Sequence, residues 1–162
     1  MGMGVAALYV IACVTNYHAE REKAFYRAKQ LVKNKGIANI GCGVGRYKSD
    51  SSMKYANDAS VFANIDSEFD PEISKLIVTN AESPLPFGLK EFDVVFASHV
   101  LEHIEDWKAA LTDWLRIADK VVIVLPHPWN AGQLKDLTHK RFVGFDWIEA
   151  VKKFNKNIEV FF

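Results

Sequence analysis

The sequence predicts an α/β fold, a doubly wound and mostly parallel sheet with helices on both faces. Short apolar runs alternate with amphipathic or linking segments along the 162 residues, which is the order that parallel strands joined by crossover connections require. The run at residues 121–125 is wholly aliphatic, as suits a strand that helices cover on both sides. No internal repeat, low-complexity segment or linker divides the chain, so we expect a single domain over residues 1–162.

Periodicity and turn residues locate the elements of this domain. The N-terminal part, residues 1–35, holds an apolar run at 5–14 and an amphipathic helix at 19–33, and the core follows over 36–162. The ten-residue run is about half of the roughly 20 residues that span a bilayer, so no membrane span is predicted. In the core we expect strands at 37–40, 61–65, 76–78, 92–97, 121–125 and 158–162, and helices at 100–118 and 146–154.

The charge balance and the cysteine content limit which kinds of function and which cellular location we expect. Lys plus Arg and Asp plus Glu number 20 each, so the chain lacks the basic excess that is typical of a nucleic-acid-binding domain. The two cysteines, Cys13 and Cys42, form no C-x-x-C pair, and no basic residue precedes the apolar run as it would in a signal peptide. Both observations favour a cytoplasmic location.

A glycine-rich turn follows the first core strand. Gly41, Gly43 and Gly45 have the spacing G-x-G-x-G, and glycine lets the backbone bend sharply and lets a ligand approach without a Cβ in the way. Asp66 ends the second strand, where a carboxylate can accept hydrogen bonds from both hydroxyls of a ribose. Arg46 stands where a dinucleotide-binding turn has Gly or Ala, which disfavours a nicotinamide-dependent oxidoreductase.

The segment NIGCGVG at residues 39–45 resembles the first motif of class I S-adenosylmethionine (SAM) dependent methyltransferases. Five further segments, in the order that family has them, resemble its ubiquinone-biosynthesis-type (methyltransferase type 11-like) branch: residues 80–82, 85–87, 92–95, 98–104 and 136–142. The resemblance implies a Rossmann-like fold and transfer of a methyl group from SAM, with S-adenosylhomocysteine (SAH) as the product. It does not identify the acceptor, which is either a small molecule or an exposed group of a macromolecule.

The same resemblance implies roles around the cofactor. Asp66 would hold the ribose, while Asn80 and Ala81 would face the adenine. Ser98 and His99 would line the methionine end, beside the backbone of the glycine turn. The residues implied in cofactor binding are Asn39, Gly41, Cys42, Gly43, Gly45, Asp66, Asn80, Ala81, Ser98 and His99.

Two departures from the family pattern keep an alternative open. Asn39 and Asn80 stand where the family usually has acidic residues, and the chain ends near its sixth strand where the family continues into a seventh, antiparallel one. Residues 5–14, a second copy of the chain or a partner subunit could cover the open sheet edge. The alternative to an active methyltransferase is therefore a catalytically inactive SAM-binding or methyltransferase-fold partner protein.

Histidines supply the candidate catalytic groups. His99 would lie beside the cofactor, and His127 follows the fifth strand, where it could act as a general base if the acceptor is a hydroxyl. Residues 99–103 also match the H-x-x-E-H pattern, in which two histidines on one helix face bind zinc. The sequence signals no third ligand, so no metal site is predicted.

Overall fold

The computed structural model describes residues 19–42, 61–66, 76–82, 84–130, 133 and 136–162, so residues 5–14, Gly43 and Gly45 lie outside the described part. The strands are β1 (Ile37–Ile40), β2 (Val61–Asp66), β3 (Leu76–Val78), β4 (Phe92–Ser98), β5 (Ala118–Val124) and β6 (Ile158–Phe161). The helices are α1 (residues 19–31), α2 (Trp107–Ile117) and α3 (Phe145–Phe154), with a 3₁₀ turn at Leu101–His103. Within the described ranges, no helix is long and apolar enough to span a bilayer.

The six strands form one parallel sheet in the order β3-β2-β1-β4-β5-β6. This is the predicted doubly wound arrangement, and the part of the chain that the structure describes contains no seventh strand. The order of the strands reverses between β1 and β4. In such sheets, ligands bind in the crevice outside the carboxyl ends of the strands at this reversal.

Alternating side chains of the central strands enter two separate cores. On one face, Val94 and Phe96 of β4 pack with α1, whose Phe25 ring meets that of Phe96 edge-on at 5.1 Å between centroids. On the other face, Val95 and Ala97 lie in a larger cluster with α2 and α3. Helices therefore cover both faces of the sheet, as the aliphatic strands predict.

The helix predicted over 100–118 is wrong as a single element. After the 3₁₀ turn at Leu101–His103, the chain is extended at Ile104, with φ −90° and ψ 127°. Asp106 then caps α2, because its carboxylate accepts the backbone N–H of Ala109 at 3.0 Å. The apolar spacing continues through this break, so periodicity alone cannot detect it.

Asp93 fixes the turn that leads into β1. The residue is only 2% exposed, and its Oδ2 atom accepts four successive backbone N–H groups at 2.7–3.1 Å, those of Lys33, Asn34, Lys35 and Gly36. Burial raises the pKa of this carboxyl group, but the four donors outweigh burial and hold the pKa below its usual value. A carboxyl group on β4 therefore anchors the turn at residues 33–36, from which β1 begins.

Candidate functional site

The glycine turn at the end of β1 is held against β2 and the segment after β4. Gly41 has a φ of +65°, and its N–H donates to the carbonyl of Ile65 at 2.7 Å, as does that of Cys42 at 3.3 Å. A Cβ at position 41 would overlap Cγ2 of Val100. Both the backbone conformation and the close packing therefore require glycine here.

A cleft of about 290 Å³ opens beside this turn, at the point where the strand order reverses. The sequence-predicted residues that line it together are Gly41, Asp66, Asn80, Ala81 and His99. They come from the carboxyl ends of four different strands, so the fold brings together residues that are distant in the sequence. Ile65, Val100, Glu82 and His103 also line the cleft.

The remaining predicted cofactor residues lie beside the cleft or outside the described chain. Asn39 and Cys42 are buried at the end of β1, and Ser98 is buried at the end of β4. None of these three is among the residues that line the cleft. Gly43 and Gly45 are not among the described residues.

Hydrogen bonds fix the shape of the loop after β3. The N–H of Thr79 donates to the carbonyl of Asp66 at 2.8 Å, which ties this loop to the end of β2. The side-chain oxygen of Asn80 accepts the N–H of Glu82 at 2.9 Å, and the Glu82 carboxylate accepts the N–H of Glu105 at 2.9 Å. The loop is therefore held at both ends, where it lines the cleft.

Comparison with known proteins decides the family. A family model described as "Methyltransferase domain" matches residues 38–123, more than half of the chain. The chain belongs to this methyltransferase domain family. No curated protein matches the sequence.

Three solved structures share the fold of this methyltransferase domain at low sequence identity. A SAM-dependent methyltransferase from Thermotoga maritima is 15% identical, with a TM-score of 0.55 over 94% of this chain and 76% of that chain. A Bacillus halodurans protein assigned as a methyltransferase is 16% identical, with a TM-score of 0.58 over 83% of this chain and 68% of that chain. A Haloferax volcanii protein, also assigned as a methyltransferase and solved in complex with the Trm112 activator, is 13% identical, with a TM-score of 0.51 over 81% and 66% of the two chains.

His99 presents a neutral imidazole to the cleft of the methyltransferase domain. The backbone φ of His99 is +57°, which is unusual for a residue other than glycine. Its backbone N–H donates to the carbonyl of Val124 at 2.9 Å. Burial, together with the positive charge of Arg21, lowers the pKa of His99 to about 3. The ring is therefore uncharged at neutral pH and is a weak base.

The two histidines of the H-x-x-E-H pattern do not share a helix face, because His99 precedes the 3₁₀ turn in which His103 lies. The residue between them, Glu102, is completely buried, and burial raises the pKa of its carboxyl group to about 8. Neither of its carboxyl oxygens has a hydrogen-bond partner in the described part of the chain. This group is the least expected feature of the domain, because a buried polar atom normally has a partner.

The fold adds a residue that the H-x-x-E-H pattern does not contain. The rings of His103 and His139 pack edge to face with centroids 4.6 Å apart. One donor atom from each of Glu102, His103 and His139 lies within 4.8 Å of the others, a set that could hold a metal ion. His139 lies in the loop after β5, and the sequence holds no signal that would join it to residues 102 and 103.

His127 lies away from the cleft, after β5. Its ring packs with those of Phe145 and Phe162, at 6.3 and 6.0 Å between centroids. Its Nδ1 atom accepts a hydrogen bond from the backbone N–H of Trp129 at 3.2 Å, so Nε2 carries the proton in the neutral ring. The predicted role of His127 as a base would require this hydrogen bond to break.

Proposed function

We propose that this domain binds SAM in the cleft beside Gly41 and transfers its methyl group to an acceptor, releasing SAH. The observation that carries the proposal is that Asp66, at the end of β2, lines the same cleft as Gly41. A carboxylate at this position can accept both hydroxyls of a ribose. The backbone of the turn at Gly41 lines the same cleft, where the methionine portion could pack beside it.

The side chains that line the cleft fit the chemistry of SAM. Asp66 follows β2 and Asn80 follows the neighbouring β3, so a ribose and an adenine could contact them side by side in the cleft, and Ala81 offers a small apolar contact. Together with Asn39, Cys42, Gly43, Gly45, Ser98 and His99, these are the residues that we propose for cofactor binding. The motifs at residues 80–104 support the ubiquinone-biosynthesis-type branch as the position of this domain in the family.

The chain's own residues need only orient the reactants and exclude water. When bound, SAM supplies a methyl group on a sulfonium, which is already an activated leaving group. Alignment of donor and acceptor in a fixed cleft can contribute about 7 kcal/mol to such a step. The neutral ring of His99 adds no positive charge that would repel a sulfonium, so we assign it a positioning role by hydrogen bonding in preference to proton removal.

The second candidate is a SAM-binding or methyltransferase-fold partner protein without catalysis. Asn80 favours it, since its side-chain oxygen already accepts the N–H of Glu82 and so offers less to a ligand than a carboxylate would. The edge of β6 pairs with no further strand in the described part of the chain. A second copy or a partner subunit could cover this edge, and the Haloferax volcanii protein shows that one protein of this fold is found with an activator.

Since Cys42 is a buried thiol, we propose a cytoplasmic location.

Methyl transfer tests the proposal directly. Tritiated-methyl SAM is incubated with the full chain and with cell extract separated into small-molecule and macromolecular fractions. We expect label to enter one fraction, and Asp66→Ala to lower the rate about 10- to 100-fold, the loss of a charge-assisted hydrogen-bonding group.

The control is Asp146→Ala, which removes an exposed carboxylate from α3 and should leave the rate unchanged. If the wild-type chain binds SAH tightly and transfers no label to any fraction, the inactive partner protein is the better description. Equal rates for wild type and Asp66→Ala would contradict the assignment of the cleft.

A further inference from the structure

We propose that Glu102, His103 and His139 bind a divalent transition-metal ion, such as Zn²⁺, at the wall of the cleft. One donor atom from each residue lies within 4.8 Å of the others. Two imidazoles and one carboxylate are a ligand set that holds zinc in enzymes and suits neighbouring first-row metals. His103 also lines the cleft, so an ion held here would place a Lewis acid beside it.

The burial of Glu102 is the observation that points to a cation. Its side chain has no solvent exposure, and neither carboxyl oxygen has a hydrogen-bond partner among the described residues. Leaving a buried polar group without a partner costs about 1–3 kcal/mol, and more for a charged one. A cation between Glu102 and the two imidazoles would displace the proton of this carboxyl group and bind oxygens that have no hydrogen-bond partner among the described residues.

The hydrogen bonds around His103 leave its Nε2 atom available to bind a metal ion. The hydroxyl of Thr138 donates to Oδ1 of Asp136 at 2.5 Å. The Thr138 oxygen therefore accepts from Nδ1–H of His103, 2.9 Å away. This fixes the lone pair of His103 on Nε2, the atom that lies 4.0 Å from Oε1 of Glu102.

The same aspartate orients His139. Oδ2 of Asp136 lies 3.5 Å from Nε2 of His139, so the proton of the neutral ring belongs on Nε2. The lone pair is then on Nδ1, which is buried and has no hydrogen-bond partner within the described chain. A carboxylate that orients metal-binding histidines from outside the ligand shell is a recurrent feature of metal sites.

Backbone hydrogen bonds hold His139 against the 3₁₀ turn. The N–H of Lys140 donates to the carbonyl of Glu102 at 2.9 Å. The guanidinium of Arg141 donates to the carbonyls of Ile104 and Glu105 at 2.6 Å each. With metal–ligand distances of about 2.1 Å, tetrahedral donors lie about 3.4 Å apart, so each pair of donors, now within 4.8 Å, would have to approach by at most about 1.4 Å on binding an ion.

Metal titration of the untagged full chain tests this site. After removal of metals with EDTA, the chain is titrated with Co²⁺, read by its visible absorption, and with Zn²⁺ in competition with a chelator. We expect one ion per chain, binding about 100-fold more weakly in Glu102→Gln and in His139→Gln. Thr138→Val, which removes only the hydroxyl that orients His103, should weaken binding about tenfold.

The control is Glu105→Gln, which makes the same carboxylate-to-amide change at a nearby exposed position and should leave the metal affinity unchanged. Circular dichroism of each variant confirms that it is folded. Absence of stoichiometric binding by the wild type, or equal affinity in wild type, Glu102→Gln and His139→Gln, would overturn the proposal. SAH binding, measured in parallel, can fail while metal binding succeeds, or the reverse, so this proposal and the proposed function are tested separately.

Discussion

Gly41→Ala is expected to lower the free energy of unfolding by about 3 kcal/mol. Holding a non-glycine residue at a φ of +65° costs about 1–2 kcal/mol, and the overlap of the new Cβ with Val100 adds about 1–3 kcal/mol of overpacking. Because Gly41 also lines the cleft, the backbone shift that relieves this overlap should abolish SAH binding. Urea unfolding and calorimetry with SAH measure the two effects.

Two further variants separate the causes of the Gly41 effect. Val100→Ala in the Gly41→Ala background removes the overlapping methyl groups and should restore part of the lost stability, leaving the cost of the positive φ. Gly88→Ala is the matched control, because a Cβ there would meet its nearest atom, Oε2 of Glu91, at an ordinary 3.6 Å. If Gly41→Ala is as stable as Gly88→Ala and binds SAH normally, the turn does not have the constraint described above.

Asp93→Ala is the second variant with a large expected effect, a loss of about 3 kcal/mol in the free energy of unfolding at pH 7. Its carboxylate accepts four backbone N–H groups, and a buried donor left without an acceptor costs about 1–3 kcal/mol. Water can replace the carboxylate at the exposed Lys33 to Lys35, so the expected loss is smaller than four full penalties. Denaturant unfolding measures it, and Glu149→Ala, which breaks only an exposed ion pair, should change stability by less than about 1 kcal/mol.

The lowered pKa of Asp93 also predicts a dependence on pH. Since the folded-state pKa lies below the unfolded one, the unfolded state binds more protons as the pH falls through this range. The stabilisation is therefore fully present above the ordinary carboxyl pKa and is lost as the pH falls through the lower folded value. The stability difference between wild type and Asp93→Ala should shrink on acidification, and a difference that is constant from pH 7 to pH 3 would contradict this account.

The sheet could be predicted from the sequence because each strand is recognisable from its own residues and from the turn that follows it. The aliphatic run of β5 and the glycines after β1 follow from local physical chemistry: a strand covered on both faces needs apolar side chains throughout, and a tight turn needs glycine. Asp66 could be placed in the cleft because the carboxyl ends of parallel strands meet at one edge of the sheet. The strands, the turn and the position of Asp66 thus follow from residues that are close in sequence and from one rule of topology.

The segment after β4 could not be predicted in the same way. Its apolar spacing is that of a helix, yet the chain is extended at Ile104 and a new helix begins after the cap at Asp106. At this break, Arg141 donates to the carbonyls of Ile104 and Glu105, and such a contact from a distant segment overrides local helix preference.

The cluster of Glu102, His103 and His139 could not be predicted from the sequence either, because it also depends on contacts between distant segments. The H-x-x-E-H pattern contains two of its three members, Glu102 and His103, but the third residue that the pattern defines is His99 and not His139. His139 joins the cluster only because Arg141 and Lys140 dock their loop against the 3₁₀ turn. Hydrogen bonds between distant segments of this kind have no periodic signature in the sequence.

The most direct measurement of the central claim is a calorimetric titration of the full chain and of Asp66→Ala with SAH. One molecule of SAH should bind per wild-type chain, and the substitution should weaken binding about 10- to 100-fold, since it removes the carboxylate that would hold the ribose. No binding by the wild type, or the same affinity in Asp66→Ala, would contradict the assignment of this cleft to an adenosyl cofactor.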